Sequence, residues 1–191
     1  MRLSYVDVNA SSTLSDSDKA VVERILQRRS PVGLQPLDLA LLHSPAFIDG
    51  LTAMMGAVTK KLTLTQDISE LAMARVALLN RAWYGYAHHV PLAKAGGLTD
   101  GGIKTMDLEQ LPESRAQSGL TENQWAVARY TDAMTTNVEV PDEIFDELRA
   151  QFNPQEVVEI TGTVAAYNCL SRLLVALNVG EKNGPKPTLR S

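Results

Sequence analysis

Helix-start signals recur along this sequence from one end to the other, and they constrain its fold more than any other feature. Ser15 followed by Asp16 and Asp18, Ser44-Pro45, Thr65, Thr121-Glu122-Asn123-Gln124, Val140-Pro141-Asp142-Glu143 and Asn153-Pro154 are all signals of this kind. Each supplies a side-chain acceptor, an acid or an N1 proline where a helix leaves its first N–H groups without partners. Runs of β-branched residues with period two are almost absent, so the chain is read as all-α.

The signals divide the chain into expected helices. The first follows Leu14-Ser15, buries Val21, Val22, Ile25 and Leu26, closes on Arg28 and Arg29 at its negative end, and stops at Ser30-Pro31-Val32-Gly33. A short helix spans 37–42. A longer one starts at Pro45 and runs to Lys61, with Phe47, Leu51, Met54, Met55 and Val58 inward. Another begins at Thr65 and carries Ile68, Leu71, Val76 and Leu79. The next spans 82–95, with Pro91 marking a kink or end and Gly96-Gly97 terminating it. Residues 99–120 are rich in Gly, Asp, Ser and Pro and are expected to be weakly structured, with one short helix over 103–108. Helices over 121–135, with Trp125, Ala128 and Met134 inward, and from Val140 to Ala150 follow. The last runs from Asn153-Pro154 to Gly180, about 25 residues and roughly 37 Å. The whole of 1–191 reads as one domain, with 1–35 forming an N-terminal arm and first helix.

Composition narrows the function. With 18 basic and 22 acidic side chains the formal charge is −4, and no basic run is longer than two residues, so nucleic acid is not an expected partner. Apolar runs are short and Asp7 interrupts the N-terminal segment, so neither a membrane span nor a leader is expected and the chain is placed in the cytoplasm. Cys169 is the only cysteine. It allows neither an internal disulfide nor a dithiol redox centre, and its apolar surroundings suggest a structural thiol.

Reactive side chains concentrate in one place. Trp83, Tyr84 and Tyr86 fall within four positions in a chain of ten aromatics, and His88 and His89 follow at once. Gly85 precedes His89 by one turn on the same stripe and would leave space beside the imidazole. The bland alternative is an aromatic packing seam. A metal site is not expected: neighbouring residues on a helix point roughly 100° apart, and neither His-x3-His nor Glu-x2-His occurs. No Gly-x-Ser-x-Gly elbow or phosphate-binding glycine loop is present. Glu70 stands in an apolar stretch, either at its solvent edge, paired with an arginine such as Arg75, or catalytic. Asn168 and Arg172, four apart beside Tyr167, suit either a packing interface or the anionic end of a substrate.

Together these segments resemble the carboxymuconolactone decarboxylase and AhpD-like superfamily. The resemblance is carried by Glu70-Leu71-Ala72-Met73-Ala74-Arg75-Val76-Ala77, by Asn80-Arg81-Ala82-Trp83-Tyr84-Gly85-Tyr86-Ala87-His88-His89-Val90-Pro91-Leu92-Ala93, and by Ala166-Tyr167-Asn168 with Arg172. It implies an AhpD-like helical fold and a homo-oligomer, a trimer or hexamer first and a dimer second. The family's peroxidase branch carries a Cys-x2-Cys pair, which by the spacing from Glu70 and His89 would fall at Ala82 and Gly85 here. Thiol peroxidase chemistry is therefore not carried over. Many non-thiol relatives have an acid where this chain has Gly85, a departure that opens the pocket.

What the resemblance implies is a cofactor-free, metal-free lyase of decarboxylase type acting on a small, anionic lactone or enolisable acid. His89 is its proton donor and Glu70 orients it, with Trp83, Tyr84, Tyr86, His88, Arg75, Asn168 and Arg172 around the substrate. Isomerisation, dehydration or hydrolysis at the same proton-transfer site, and a non-catalytic oligomeric helical protein, are the alternatives. An enclosed cavity at His89 would favour the enzyme, and a filled core there the scaffold. Glu70 and His89 lie nineteen positions apart, roughly 28 Å along a straight helix, so a shared site requires a turn near residues 80–83 or a partner subunit.

Overall fold

The computed structural model describes residues 1–9 and 14–188. Among these there are nine α-helices and no strand: α1 (Asp16–Arg29), α2 (Pro36–Leu41), α3 (Pro45–Lys60), α4 (Gln66–Leu79), α5 (Trp83–Ala95), α6 (Asp100–Met106), α7 (Glu122–Thr136), α8 (Asp142–Gln151) and α9 (Pro154–Leu177). Capping boxes close the first turns at Ser15 with Asp18, Thr121 with Gln124 and Asn153 with Glu156. The overlooked start signal is Thr99, whose hydroxyl accepts from the Gly102 amide and begins α6. At the far end α9 stops at Asn178, which adopts a left-handed conformation (φ 53°) two residues before Gly180.

The α4 helix lies at the centre and packs on α5, α7 and α9. Every residue from Leu71 to Leu78 is buried, which is why its sequence is apolar all round rather than along one stripe. One charge sits in that run. Arg75 is fully buried, and all five of its N–H groups are used: Nε and one terminal nitrogen donate to the Asp132 carboxylate on α7, and the rest to the carbonyls of Met106, Leu108 and Glu109. The guanidinium thus anchors the glycine- and proline-rich stretch after α6 to the core.

The α4–α5 turn is compact. The Ala82 amide donates to the Ala77 carbonyl (2.8 Å) and the Arg81 amide to Leu78 (2.9 Å), a Schellman closure that places Arg81 at φ 53°, where glycine is the usual occupant. At the opposite end of the hairpin Gly96 presses against the start of α4. A β-carbon there would lie 2.9 Å from the Asp67 backbone nitrogen. Residues 1–6 run along α2 and the end of α9, with the Arg2 amide on the Leu177 carbonyl and the Val6 amide on Leu39.

Four expectations need correction. Phe47 and Met54 on α3 are exposed at 47% and 43%, and Ile48 joins Leu51 and Met55 on the inner face. α3 has more apolar positions than its neighbours cover. Cys169 is exposed rather than enclosed. Pro91 neither ends nor caps α5, which continues through it to Ala95; Ala87 and Pro91 are both exposed, so the carbonyl that loses an amide partner lies on the solvent side. Lastly, Leu26 on α1 is exposed at 41%, and only Val21, Val22 and Ile25 of that helix are buried. α9, with 24 residues, is by length and composition apolar enough to cross a membrane, and Ile160, Val164, Tyr167 and Leu174 on it are packed into the core.

The two ends of the hairpin predict opposite mutational signs. Arg81→Gly is expected to hold or raise the melting temperature, since it relieves a left-handed residue worth about 1 kcal/mol. Gly96→Ala must push backbone against backbone, at about 1–3 kcal/mol, or roughly 2–10 °C for a chain of this size. Thermal unfolding of the two variants checks both.

Candidate functional site

The hairpin delivers what the sequence requires of it. Glu70 on α4 and His89 on α5 meet across the helix pair, with Oε2 of the carboxylate 2.7 Å from Nδ1 of the imidazole. Their side chains retain 14% and 10% exposure, so the pair lies at the edge of the core within reach of solvent. Two rings hold the imidazole in place edge-to-face. His88 lies 4.9 Å away by centroids at 89°, and Tyr167 from α9 lies 4.9 Å away at 82°. With Nδ1 committed to Glu70, Nε2 is the nitrogen left to face a reactant.

The surroundings are charged in a way the sequence did not disclose. The C-terminal end of α1 brings in Arg28 and Arg29. Arg29 makes a two-pronged pair with the buried Asp38 of α2, at 2.9 and 3.0 Å. Its charge acts on His88, Tyr84 and Tyr167 alike. Burial pushes the His88 imidazole below its ordinary value; His89 and Arg29 push the same way, and Glu70 opposes them. Burial holds the Tyr167 phenol well up, aided by Glu70 and opposed by Arg29 and Arg28. Tyr84 is likewise raised by burial, against the pull of Arg29. In the sequence Arg28 and Arg29 look only like cations suited to a helix C-terminus, because the groups they act on, Tyr84 and His88 on α5 and Tyr167 on α9, lie far off along the chain.

Several expected site residues are occupied elsewhere. Arg75 has no N–H group left for a substrate. Tyr86 is fully buried, and its hydroxyl donates to the Asp107 carboxylate. Trp83 donates from Nε1 to the Gly184 carbonyl (2.9 Å), binding the C-terminal segment to α5. The Asn168 amide group donates to Thr135 and accepts from Asn80 (3.0 Å) and Arg172 (2.7 Å), a polar lock between α4, α7 and α9. All four are corrected from substrate contacts to structural ties, and Arg172 is an exposed part of the same lock. His88 remains beside the pair, whereas the Tyr84 ring packs against Gly180. Gly85 does not clear space at the imidazole either: a β-carbon there would lie 3.6 Å from Ala77 and 3.7 Å from Leu174, so it faces α4 and α9.

Two surface depressions, of about 480 and 410 Å³, open elsewhere. One lies around Trp125, Arg129 and Asp132, the other around Asp67, Gln124 and Phe152, and neither is lined by Glu70 or His89. Among the described residues no group of three or more His, Cys, Asp and Glu side chains is arranged to hold a metal ion.

The electrostatics give a measurable signature. By NMR, His88 is expected to titrate below the usual value of about 6.5, lower still in Glu70→Gln, and higher when His89 is replaced by Gln. The sign for stability follows. Because the unfolded chain takes up this proton first, the contribution of His88 is lost as pH falls from the unfolded value towards the folded one. A His88 titration unmoved by either substitution would contradict the shared site.

No protein-family profile and no curated protein matches the sequence, but solved structures do. A protein of unknown function from Agrobacterium tumefaciens, described as a putative antioxidant defence protein AhpD, is 26% identical over 78% of this chain and 95% of its own, with a TM-score of 0.63. An uncharacterised peroxidase-related protein with an alkylhydroperoxidase AhpD core, from Ralstonia eutropha JMP134, superposes at 0.72 with 16% identity, covering 95% of this chain and 93% of that one. The debrominase Bmp8, as its C82A variant in complex with 2,3,4-tribromopyrrole, superposes at 0.67 with 15% identity over 92% of each chain. With the helix order, the hairpin and the Glu70–His89 pair already in place, these likenesses show that the chain has the AhpD-like helical fold.

Proposed function

We propose that this chain is a cofactor-independent enzyme of decarboxylase type, acting on a small anionic lactone or enolisable acid. The observation that carries the reading is the 2.7 Å contact between Glu70 and His89 Nδ1, in a site with no thiol. Glu70 fixes the ring, and Nε2 is the working position. In the reaction the bond to the carboxylate carbon breaks and CO2 leaves. The electron pair stays on the substrate carbon as an enolate, and His89 delivers a proton to that carbon before regaining one from water. His88 borders the reactant.

The specific loss of CO2 rests on the family resemblance, and isomerisation, dehydration or hydrolysis would use the same proton. The lining of both depressions by other residues favours the second reading, a non-catalytic helical protein. A cytoplasmic setting fits either.

We also propose a homo-oligomer, a trimer or hexamer ahead of a dimer. Its support is the outward stripe of Phe47, Gly50 and Met54 on α3 beside Val158, Gly162, Ala165 and Cys169 on α9, apolar surface that a second copy would cover. Light scattering that shows only monomer at micromolar concentration rules this out.

The catalytic reading is tested by turnover of candidate lactone acids. His89→Ala is expected to abolish it with the fold intact, Glu70→Gln to reduce it about 10²-fold or more, and Cys169→Ser to leave it unchanged. In D2O one deuterium should appear at the carbon that lost CO2. Equal rates in wild type and His89→Ala defeat the assignment, and a product that keeps its carboxylate transfers it to another proton-transfer reaction.

A further inference from the structure

Arg75 closes its own hydrogen bonds and in doing so fixes two sides of one depression. Its Nε and one terminal nitrogen hold the Asp132 carboxylate, each at 2.6 Å, and its other donors hold the carbonyls of Met106, Leu108 and Glu109, where the loop towards Leu111 and Pro112 begins. Asp132, that loop and Ile144 of α8 all line the depression of about 480 Å³. The volume is that of a small-molecule site. Its walls are set from the core by a buried guanidinium rather than left to surface chains.

Trp125, Arg129 and Asp132 are spaced four and three apart on α7 and share that lining, so one stripe of the helix presents an indole, a cation and a carboxylate in succession. The donors behind the stripe are all used, but capacity remains on the stripe itself. Asp132 gives Arg75 one lone pair of each oxygen, about half of what a carboxylate accepts, and its side chain keeps 23% exposure. Trp125 is buried except for 8%. Whereas Trp83 spends its indole N–H on the Gly184 carbonyl, the Trp125 N–H has no acceptor among the described residues. Arg129 is matched by Glu147 at 2.5 Å, with Glu143 3.7 Å away. Glu113, also on the lining, makes no ion pair among the described residues. Carboxylates therefore outnumber guanidiniums around the depression, and its field favours a cation.

We infer that this depression is a second ligand site, for a small organic cation that carries an oxygen at its far end. Its ammonium bonds the open side of the Asp132 carboxylate, its oxygen accepts from the Trp125 N–H, and its apolar body lies against Leu111, Pro112 and Ile144. Seven residues separate Trp125 from Asp132, roughly 10 Å along the helix axis. The two polar ends of the ligand are thus several bonds apart, as in a hydroxylated arylalkylamine. Neither Glu70 nor His89 lines this depression, so the site stands independently of the proton-transfer reading.

The test is calorimetric binding of tyramine to the full chain at constant ionic strength. Three ligands of matched shape accompany it: tyrosol, which is neutral, 4-hydroxyphenylacetate, which is anionic, and phenethylamine, which lacks the ring oxygen. Tyramine is expected to bind saturably, and tyrosol and 4-hydroxyphenylacetate about tenfold or more weakly for want of one charge-assisted bond. Phenethylamine should bind about fivefold more weakly than tyramine, a preference that Trp125→Phe erases. Asp132→Asn should weaken tyramine about tenfold or more. Because that change also strips Arg75 of its counter-ion, the ligand series carries the test in the unmutated protein. In Trp83→Phe, Trp125 is the single tryptophan left, and its emission should shift as tyramine saturates. His89→Ala is expected to bind tyramine as wild type does. No saturable binding of tyramine, equal affinity for tyrosol, an unmoved Trp125 emission at saturation, or binding lost in folded His89→Ala overturns the inference, and the first three leave the proton-transfer reading untouched.

Discussion

The reversal between α4 and α5 sets the register of everything that follows. Glu70 lies ten residues before Asn80 and His89 nine after it, so a turn centred there brings the two level on adjacent helices. Helix geometry makes this level unforgiving. One residue inserted in the turn would rotate α5 by about 100° and carry His89 off the face that meets α4. The structure fixes the register twice, by the left-handed Arg81 at the turn and by Gly96 against Asp67 where the hairpin opens. A carboxylate–imidazole contact at 2.7 Å is therefore a consequence of backbone closure at both ends rather than of flexible side chains reaching for each other.

Much of this was legible in the sequence because it depends on local chemistry. Helix starts at Ser15, Pro45, Thr121 and Asn153 and the termination before Ala82 follow from caps and spacing; the family resemblance pairs Glu70 with His89, and rise per residue then requires a turn between them. What was not legible is pairwise and distant. Nothing near Arg75 in sequence reveals Asp132, 57 positions away, so a buried structural cation looked like a substrate contact. Arg28 and Arg29 carried the opposite ambiguity, since the residues they act on lie on α2, α5 and α9. The exposed faces of Phe47 and Met54 escaped notice for a related reason. Periodicity shows that α3 has apolar positions, but not how many neighbours it has to cover them.

The polar interior distinguishes ties from function by satisfaction. The Asp132 carboxyl is raised by burial and held down by Arg75, a pair in which each group offsets the other's desolvation and whose remaining donors close carbonyls of the loop. The Asn80–Asn168–Ser171 cluster is likewise complete, with donors and acceptors matched across α4 and α9. Groups around the imidazole are less complete. His89 Nε2 has no partner among the described residues, and burial raises the Tyr167 phenol. Unsatisfied capacity collected in one place is what a ligand can complete, whereas a closed network can only hold the fold.

The absence of thiols can be judged on the same grounds. By the family spacing, Ala82 and Gly85 stand where a Cys-x2-Cys pair would be. Both are buried in the hairpin, and a β-carbon at Gly85 would make only ordinary contacts. The packing therefore does not by itself require a glycine, and what differs from a thiol site is chemical. Without a thiolate there is no nucleophile for the imidazole to activate and no second sulfur to complete a disulfide. Cys169 does not substitute, since it sits on the outer face of α9 rather than in the hairpin. The carboxylate and the imidazole nevertheless keep their contact. Without sulfur, what a carboxylate–imidazole pair can offer is a proton held and moved at Nε2, and the decarboxylase reading proposed above would then need a substrate whose own carbonyl accepts the electron pair.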